Sequence, residues 1–307
     1  MNWKEKAIEL AKAGNSWRQV AKLLEIPRST VSDYLRKAVK PEEHKNQEGP
    51  RILLVDIETA PLLASVWRLW KENVGLNQIK EDWYILSYCA KWLGSDEVIY
   101  EDVRDLGLND KPLMESLWKL LDQADWVIAH NGIKFDLPKI QARMILNGMK
   151  PFSPVKQIDT CQVAKKYFGF TSNKLAYLSE KLAPDHVKSE HKKFPGFDLW
   201  RECIAGNVEA WQEMAAYNIS DVLSLEAVYL KLRPWIPNHP NFALHVDKDV
   251  PVCVCCGSTN LREHEKEAMT MLSSFTQYVC NDCGKHVRSR KNTRTKEQMS
   301  TTLTNSL

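Results

Sequence analysis

Asp56 and Glu58 close the apolar run of residues 51–61, RILLVDIETAP, and their i, i+2 spacing sets both carboxylates on one face at the end of a strand. Two acids on one face repel, and burying them together without a cation is costly, so the pair points to a shared divalent metal. Taken alone, the same D-x-E also fits a strand end whose acids face water. Two further acidic sets follow in chain order. In HNGIKFDLPKI, which starts at His130, Asp136 stands at a strand-to-helix junction with Pro138 in the first turn, where proline is tolerated. Such a junction gathers anions and metals, although an ordinary helix cap also employs an acid there. In residues 210–232, AWQEMAAYNISDVLSLEAVYLKL, Tyr217 and Asp221 lie four apart on one face of a long helix. A Tyr-Asp pair of that kind can equally be a structural hydrogen bond.

A second kind of chemistry is written in the cysteines. Five of the eight fall between Cys253 and Cys283, in a chain without an export signal, which argues for metal rather than disulfides. Cys253-x2-Cys256-Gly257 and Cys280-x2-Cys283-Gly284, 23 residues apart, offer four thiolates to one tetrahedral structural zinc. Cys255, His264 and His286 are alternative ligands. Each glycine after the second cysteine lets the backbone turn beneath the sulfur. The pattern resembles a zinc ribbon at 250–290, whose closed coordination excludes catalysis and suits nucleic-acid or protein binding. Arg288, Arg290, Lys291 and Arg294 add a basic strip, and residues 291–307 read as a disordered basic and polar tail. Cys89, Cys161 and Cys203, each in apolar surroundings, read as small core residues.

Stepping along the chain, helical spacing predicts a helix over 3–13, ended by Gly14-Asn15, then one capped by Ser16, then one opened by Ser29 after Ile26-Pro27. The stretch WRQVAKLLEIPRSTVSDYLRK resembles a helix-turn-helix of the resolvase and transposase type, placed at 1–40. The resemblance makes Arg28, Ser29, Thr30, Ser32 and Arg36 the DNA contacts, with a protein-binding three-helix bundle as the other reading. Glu25 departs from that pattern, where many relatives have glycine in the turn. Residues 41–50, PEEHKNQEGP, read as a linker. Past the opening strand, residues 84–92 and 97–100 predict two more strands of an antiparallel meander, followed by a helix at 112–121 and a buried strand at 126–129.

The three acidic sets in this order resemble the DEDD (DnaQ-like) 3′-to-5′ exonucleases of the RNase H-like superfamily, in the branch with Tyr in the third motif, over residues 51–237. Residues 174–217, with Lys192-Lys193, Gly196, Leu199-Trp200 and Gly206, also resemble phage and bacterial members. The resemblance implies an α/β fold, a mixed five-stranded sheet with flanking helices, to which the chain adds a small all-α helix-turn-helix and a small β zinc ribbon. It further implies that Asp56, Glu58, Asp136 and Asp221 hold two Mg²⁺ or Mn²⁺ ions. Asp56 is then shared, Glu58 and Asp221 complete the first site, and Asp136 serves the second through water. Tyrosine's ordinary pKa of about 10 makes Tyr217 a water-orienting group rather than a free base. The implied products are nucleoside 5′-monophosphates.

Asn131 and Phe135 are candidate nucleic-acid contacts, with Asn131 on a base or sugar edge and Phe135 packed beneath the acid. Lys188, Lys192 and Lys193 either grip phosphates or form a solvated basic loop. Asp159 stays outside the metal set, as an acid that steadies a lysine or a helix start.

The totals fit this reading. With 44% apolar and 26% charged residues and a net charge of +3, the chain is a globular protein of more than one domain. Residues 1–50 hold ten Lys/Arg against seven Asp/Glu and residues 251–307 eight against five, leaving the middle at 24 against 27. Basic ends about an acidic centre suit arms that hold a polyanion, single-stranded or at its 3′ end and DNA by preference, while bound cations draw phosphate to the centre. A protein partner through the helix-turn-helix or the ribbon is the other use of those ends. No apolar run reaches about 18 residues and the N-terminus lacks signal-peptide features, so a cytoplasmic protein of a bacterium or a phage-infected host, without membrane contact, is expected. Two rival functions keep the same fold: a DNA-binding regulator or recombination accessory with a vestigial nuclease centre, and a structure-specific endonuclease.

Overall fold

The computed structural model describes residues 2–12, 17–31, 34, 49–186 and 193–306. The expectations placed on Gly14-Asn15, Ser16, Ser32, Arg36, linker residues 41–48, Lys188 and Lys192 lie outside the described residues. The chain divides into two units, Met1–Glu48 and Gly49–Leu307.

In the first unit, helices α1 (Trp3–Lys12) and α2 (Trp17–Leu24) are followed by helical residues 28–31. Ala7, Val20, Ala21 and Val31 form its small core, and the Trp3 ring meets Tyr34 edge-on at 5.2 Å. The end of α2 is a Schellman turn: the Ile26 amide donates to the Ala21 carbonyl at 3.1 Å and the Glu25 amide to Lys22 at 3.4 Å. Glu25 sits at φ 55, the left-handed conformation that glycine usually supplies. The departure seen in the sequence therefore leaves the turn in place, at a cost on the order of 1 kcal/mol. Arg28, Ser29 and Thr30 are exposed.

The second unit is built on β1 (Ile52–Thr59), whose run of apolar residues is long enough to be buried on both faces. Leu53, Val55 and Ile57 enter one core, and Ile52 and Leu54 enter another. After the short pair β2 (Leu63–Ala64) and β3 (Ile79–Glu81) come β4 (Ile85–Trp92) and β5 (Val98–Asp102), then helix α3 (Lys111–Gln123). Strand β6 (Trp126–Ala129), helix α4 (Asp136–Leu146), strand β7 (Lys156–Asp159) and helix α5 (Thr160–Tyr167) follow. The sheet has the order β5-β4-β1-β6-β7. Pairs β1/β4 and β4/β5 are antiparallel, whereas β1/β6 and β6/β7 are parallel. This is the expected RNase H-like α/β architecture, a mixed five-stranded sheet with flanking helices.

Helices α6 (Leu175–Leu182), α7 (Asp198–Ile204) and α8 (Val208–Leu232) complete the layer. Asn207 caps α8 by accepting from the Glu209 amide. Its apolar stripe of Met214, Val222, Leu225, Val228 and Leu232 is buried. Val222, Leu225 and Val228 pack in the core that holds Ile52 and Leu54, so α8 covers the even-numbered face of β1.

The C-terminal strands are β8 (Leu261–Glu263), β9 (Ala268–Met269), β10 (Ser274–Cys280) and β11 (His286–Asn292), with β10 central. They pack on the rest of the unit: the Phe242 amide donates to the Val254 carbonyl at 2.8 Å, and Lys285 Nζ to the Ile236 carbonyl at 2.7 Å. The expectation of a disordered tail at 291–307 is corrected. Lys291 and Asn292 finish β11, and α9 (Lys296–Ser300) follows. The reason is a capping box in TKEQ: Thr295 Oγ1 accepts from the Gln298 amide at 3.2 Å and Gln298 Oε1 accepts from the Thr295 amide at 2.9 Å. Among the described residues no helix is long and apolar enough to cross a membrane.

Helix α4 is tied to β4 by a buried ion pair. Arg143 donates through Nε to Asp110 Oδ2 at 2.6 Å and through Nη2 to Oδ1 at 2.8 Å, and the Ile85 amide adds a bond at 3.1 Å. Burial pushes the Asp110 carboxyl up, but Arg143, Ile85 and Asn147 together hold it below the usual carboxylate range. Removing the guanidinium strands a buried charge, so Arg143→Ala is expected to lose about 3–5 kcal/mol in urea unfolding. A loss under about 1 kcal/mol contradicts this account of how α4 is held.

Candidate functional site

Since α8 lies over the even-numbered face of β1, residues 56 and 58 meet it where the strand runs past its other partners. One carboxylate oxygen each from Asp56, Glu58 and Asp221 falls within 4.8 Å of the others. Opposed oxygen ligands at 2.0–2.6 Å from one ion span about 4–5 Å, so this donor set fits a hard divalent cation. Asp136 comes from the other side. Pairing with β6 covers residues 52–54 of β1, and beyond it the Ile57 amide donates to Asp136 Oδ1 at 3.2 Å. All four acids and Tyr217 line one cleft of about 610 Å³. Asp136 is thus brought to the cleft but stands outside the close carboxylate trio.

Burial is the main reason that the Asp136 carboxyl, 3% exposed, is pushed up to about 7. The Ile57 amide opposes the shift, and the charges of Asp159 and Asp221 add to it.

Several residues that hold the acids escaped the sequence reading. Asn218, fully buried, donates from Nδ2 to Asp56 Oδ2 at 2.6 Å and accepts on Oδ1 from the Ser87 hydroxyl at 3.1 Å. Its signal was available, because it is a polar residue in the apolar stripe between Met214 and Val222. Trp200 was noted only as part of a family-like stretch. Its Nε1 donates to Glu58 Oε2 at 3.2 Å, and its ring meets that of Tyr217 edge-on at 6.2 Å. Lys165 and Lys174 line the cleft as well.

Asp159 is a helix cap and a clamp. Its Oδ1 accepts from the amides of Cys161 and Gln162, both at 3.0 Å, and of Asn131 at 2.9 Å, while Oδ2 accepts from Ile133 at 3.2 Å. That clamp fixes the loop ahead of Asp136. Within it Asn131 has φ 69, and a Cβ on Gly132 would sit 2.3 Å from that of Ala129, so the position requires glycine. Asn131 lines the cleft. Phe135 is 39% exposed on the cleft wall instead of packing beneath the acid, because Asp136 itself turns inward to Ile57. Lys193 is engaged by carboxylates: its amide donates to Glu213 and its ammonium to Glu209.

Cys253, Cys256, Cys280 and Cys283 come together as expected. Their sulfurs pair at 3.6 Å (Cys253 and Cys283) and 3.7 Å (Cys256 and Cys280). Zinc–sulfur bonds of about 2.3 Å in a tetrahedron set sulfurs about 3.8 Å apart, so the cluster is sized for zinc. A hydrogen bond from Cys256 is the main reason the Cys253 thiol is pushed down to about 5, aided by the amides of Cys255 and Cys256. Gly257 and Gly284 take φ 77 and 76, as the knuckle turns require. Cys255 stays outside the set, buried and raised to about 12, and His264 and His286 pack on each other at 5.3 Å.

A family model of the RNase H superfamily matches residues 71–233, more than half of the chain, and the chain belongs to that superfamily. Nucleases of that superfamily use divalent metal, which the carboxylate trio here would suit. The match begins downstream of Asp56 and Glu58, which join the site through the geometry above. Among solved structures the chain is similar to the family B DNA polymerase from the hyperthermophilic archaeon Pyrobaculum calidifontis, at 13% identity and a TM-score of 0.46. The similarity covers 61% of this chain and 25% of the polymerase, so the chain spans about a quarter of that structure's length. No curated protein sequence matches the chain.

The raised Asp136 carboxyl binds its proton more tightly folded than unfolded, so its contribution to stability is full below about pH 3.8 and is lost as pH rises through about 7. Without divalent metal, wild type should therefore lose more stability than Asp136→Asn between pH 4 and about 8 in thermal melts. Parallel pH profiles contradict it. For the thiolates, metal analysis of purified protein should find about one zinc per chain, falling in Cys280→Ser.

Proposed function

We propose that the protein is a metal-dependent 3′-to-5′ exonuclease of the DEDD kind with Tyr in the third motif, hydrolysing nucleic acid, DNA by preference, to nucleoside 5′-monophosphates. The observation that carries this reading is the meeting of Asp56, Glu58 and Asp221 within 4.8 Å, with Asp136 and Tyr217 in the same cleft. Two divalent cations, when bound, would acidify the attacking water and neutralise charge on the phosphate and the leaving 3′ oxygen. Asp56, Glu58 and Asp221 would hold the first cation, with Asp56 shared, and Asp136 would serve the second through water.

The chain's own groups make that arrangement stiff. Asn218 fixes the Asp56 carboxylate and Trp200 the Glu58 carboxylate, so both enter the reaction already oriented. Tyr217, one helical turn before Asp221, holds the attacking water by its hydroxyl. Lys165 and Lys174 on the cleft wall attract the strand's phosphates, and Asn131 and Phe135 meet its terminal nucleotide. Exposed Arg28, Ser29 and Thr30 read DNA in a helix-turn-helix at 1–40, with Arg36 as a further contact that the sequence resemblance implies, and a linker at 41–50 joins it to the exonuclease domain at 51–237. A zinc ribbon at 250–290 is the second nucleic-acid-binding appendage.

With Mg²⁺ and a 3′-labelled single strand, Asp56→Ala should lower mononucleotide release by at least about 10²-fold. Undiminished release overturns the assignment. Covalently closed single-stranded circles should survive, and their rapid cutting would favour an endonuclease.

A further inference from the structure

Beyond Ala60 the chain leaves the main sheet and returns to it through a loop closed at its neck. The β2/β3 pair stands off the five-stranded sheet. The Ser65 amide donates to the Gln78 carbonyl at 2.9 Å, and Gln78 Nε2 donates back to the Ser65 carbonyl at 2.9 Å. Gln78 also accepts on Oε1 from the Gly75 amide at 2.7 Å. The residues between form a loop with pinned ends.

That loop carries its apolar side chains outward. Trp67 is 93% exposed, Leu69 87%, Trp70 81% and Leu76 89%. Single exposed apolar residues are ordinary on a protein surface, but four of them, two tryptophans among them, within ten residues mark a binding surface. Cations interleave with the rings in WRLWK: among residues 65–78 Arg68, which pairs with Glu72 at 3.5 Å, and Lys71 stand against that single acid. Flat rings set among cations are what a single strand requires, since every base has a face to stack and every linkage a phosphate to pair.

We propose that residues 65–78 form an arm on which unpaired bases of the substrate strand stack as its end enters the cleft. The inference rests on the nuclease reading and adds to it the element that holds the strand behind the reacting nucleotide. Location selects nucleic acid as the occupant. Ala64, just ahead of the arm, is six residues from Glu58, so the chain itself keeps the two within about 21 Å. A lipid surface or a second copy of the chain would gain nothing from that closeness.

The test compares full-length wild type, Trp67→Ala/Trp70→Ala and Trp67→Phe/Trp70→Phe. Affinity for a 5′-labelled 15-nucleotide oligothymidylate is read by anisotropy, with Ca²⁺ in place of Mg²⁺ to prevent turnover. The alanine pair should bind at least about tenfold more weakly, and the phenylalanine pair, which keeps stackable rings, within about threefold of wild type. Both should hydrolyse the p-nitrophenyl ester of thymidine 5′-monophosphate, which has no neighbouring bases, at the wild-type rate. Unchanged oligonucleotide affinity in the alanine pair overturns the arm. It does so equally if that pair instead loses self-association in sedimentation, or loses binding to anionic phospholipid vesicles. A wild type that binds the oligonucleotide through the arm yet hydrolyses neither strand nor ester would leave the arm standing and overturn the nuclease reading.

Discussion

The structure depends on bringing like charges together. Asp56, Glu58 and Asp221 meet within 4.8 Å, and Asp136 stands buried nearby. Without a cation their repulsion favours separation, so every neighbouring element must resist it. Strand β1 does so by being locked on both faces, between the core of Leu53, Val55 and Ile57 and that of Ile52 and Leu54. Helix α8 does so with a buried stripe that runs its length. Asn218 then restrains Asp56, Trp200 restrains Glu58 and the Ile57 amide restrains Asp136. A bound divalent cation would offset that repulsion.

The two metal-type clusters divide the chemistry by hardness and by access. Carboxylate oxygens on an open cleft suit hard cations that keep solvent or phosphate positions. Four thiolates closed around one point suit zinc and leave no position for a substrate. Their mechanical roles differ accordingly. The thiolate cluster unites Gly257 and Gly284 turns that no large apolar core supports, and its small sheet leans on the main unit through Phe242, Lys285 and a stack about Trp126. There His239 lies edge-on to Trp126 at 5.3 Å. Its Nδ1 donates to the Pro240 carbonyl, so Nε2 accepts from the Tyr229 hydroxyl of α8 at 2.8 Å. Burial lowers His239 to about 4 and keeps it in this neutral form. One helix thereby carries Tyr217 and Asp221 at its middle and anchors the ribbon at its end.

Much of this was legible from spacing, because spacing is local geometry. An i, i+2 pair on a strand and an i, i+4 pair on a helix share a face whatever the rest of the chain does. Two Cys-x2-Cys-Gly knuckles prescribe their own turns, and apolar periodicity marked β1, β6 and α8 close to their observed ends. The order of the acidic motifs carried the superfamily and the antiparallel-then-parallel sheet. Where a local signal was overlooked the reading failed, as with TKEQ, whose capping box makes α9 out of an expected disordered tail.

What the sequence alone determined, then, is which residues can do chemistry and the element each one rides on. Tertiary structure decided which of them meet. Asn218 reaches Asp56 across 162 residues and Trp200 reaches Glu58 across 142, and no periodicity spans such separations. The sequence already leaves Asp159 outside the metal set, and the fold shows that its oxygens serve four backbone amides. Trp67 and Trp70 carry no sequence pattern that separates core from surface, and only the folded chain leaves them in water. Burial and contact are properties of packing between elements, set by how the helix stripe and the strand faces fit, and a linear pattern carries the elements without their mutual placement.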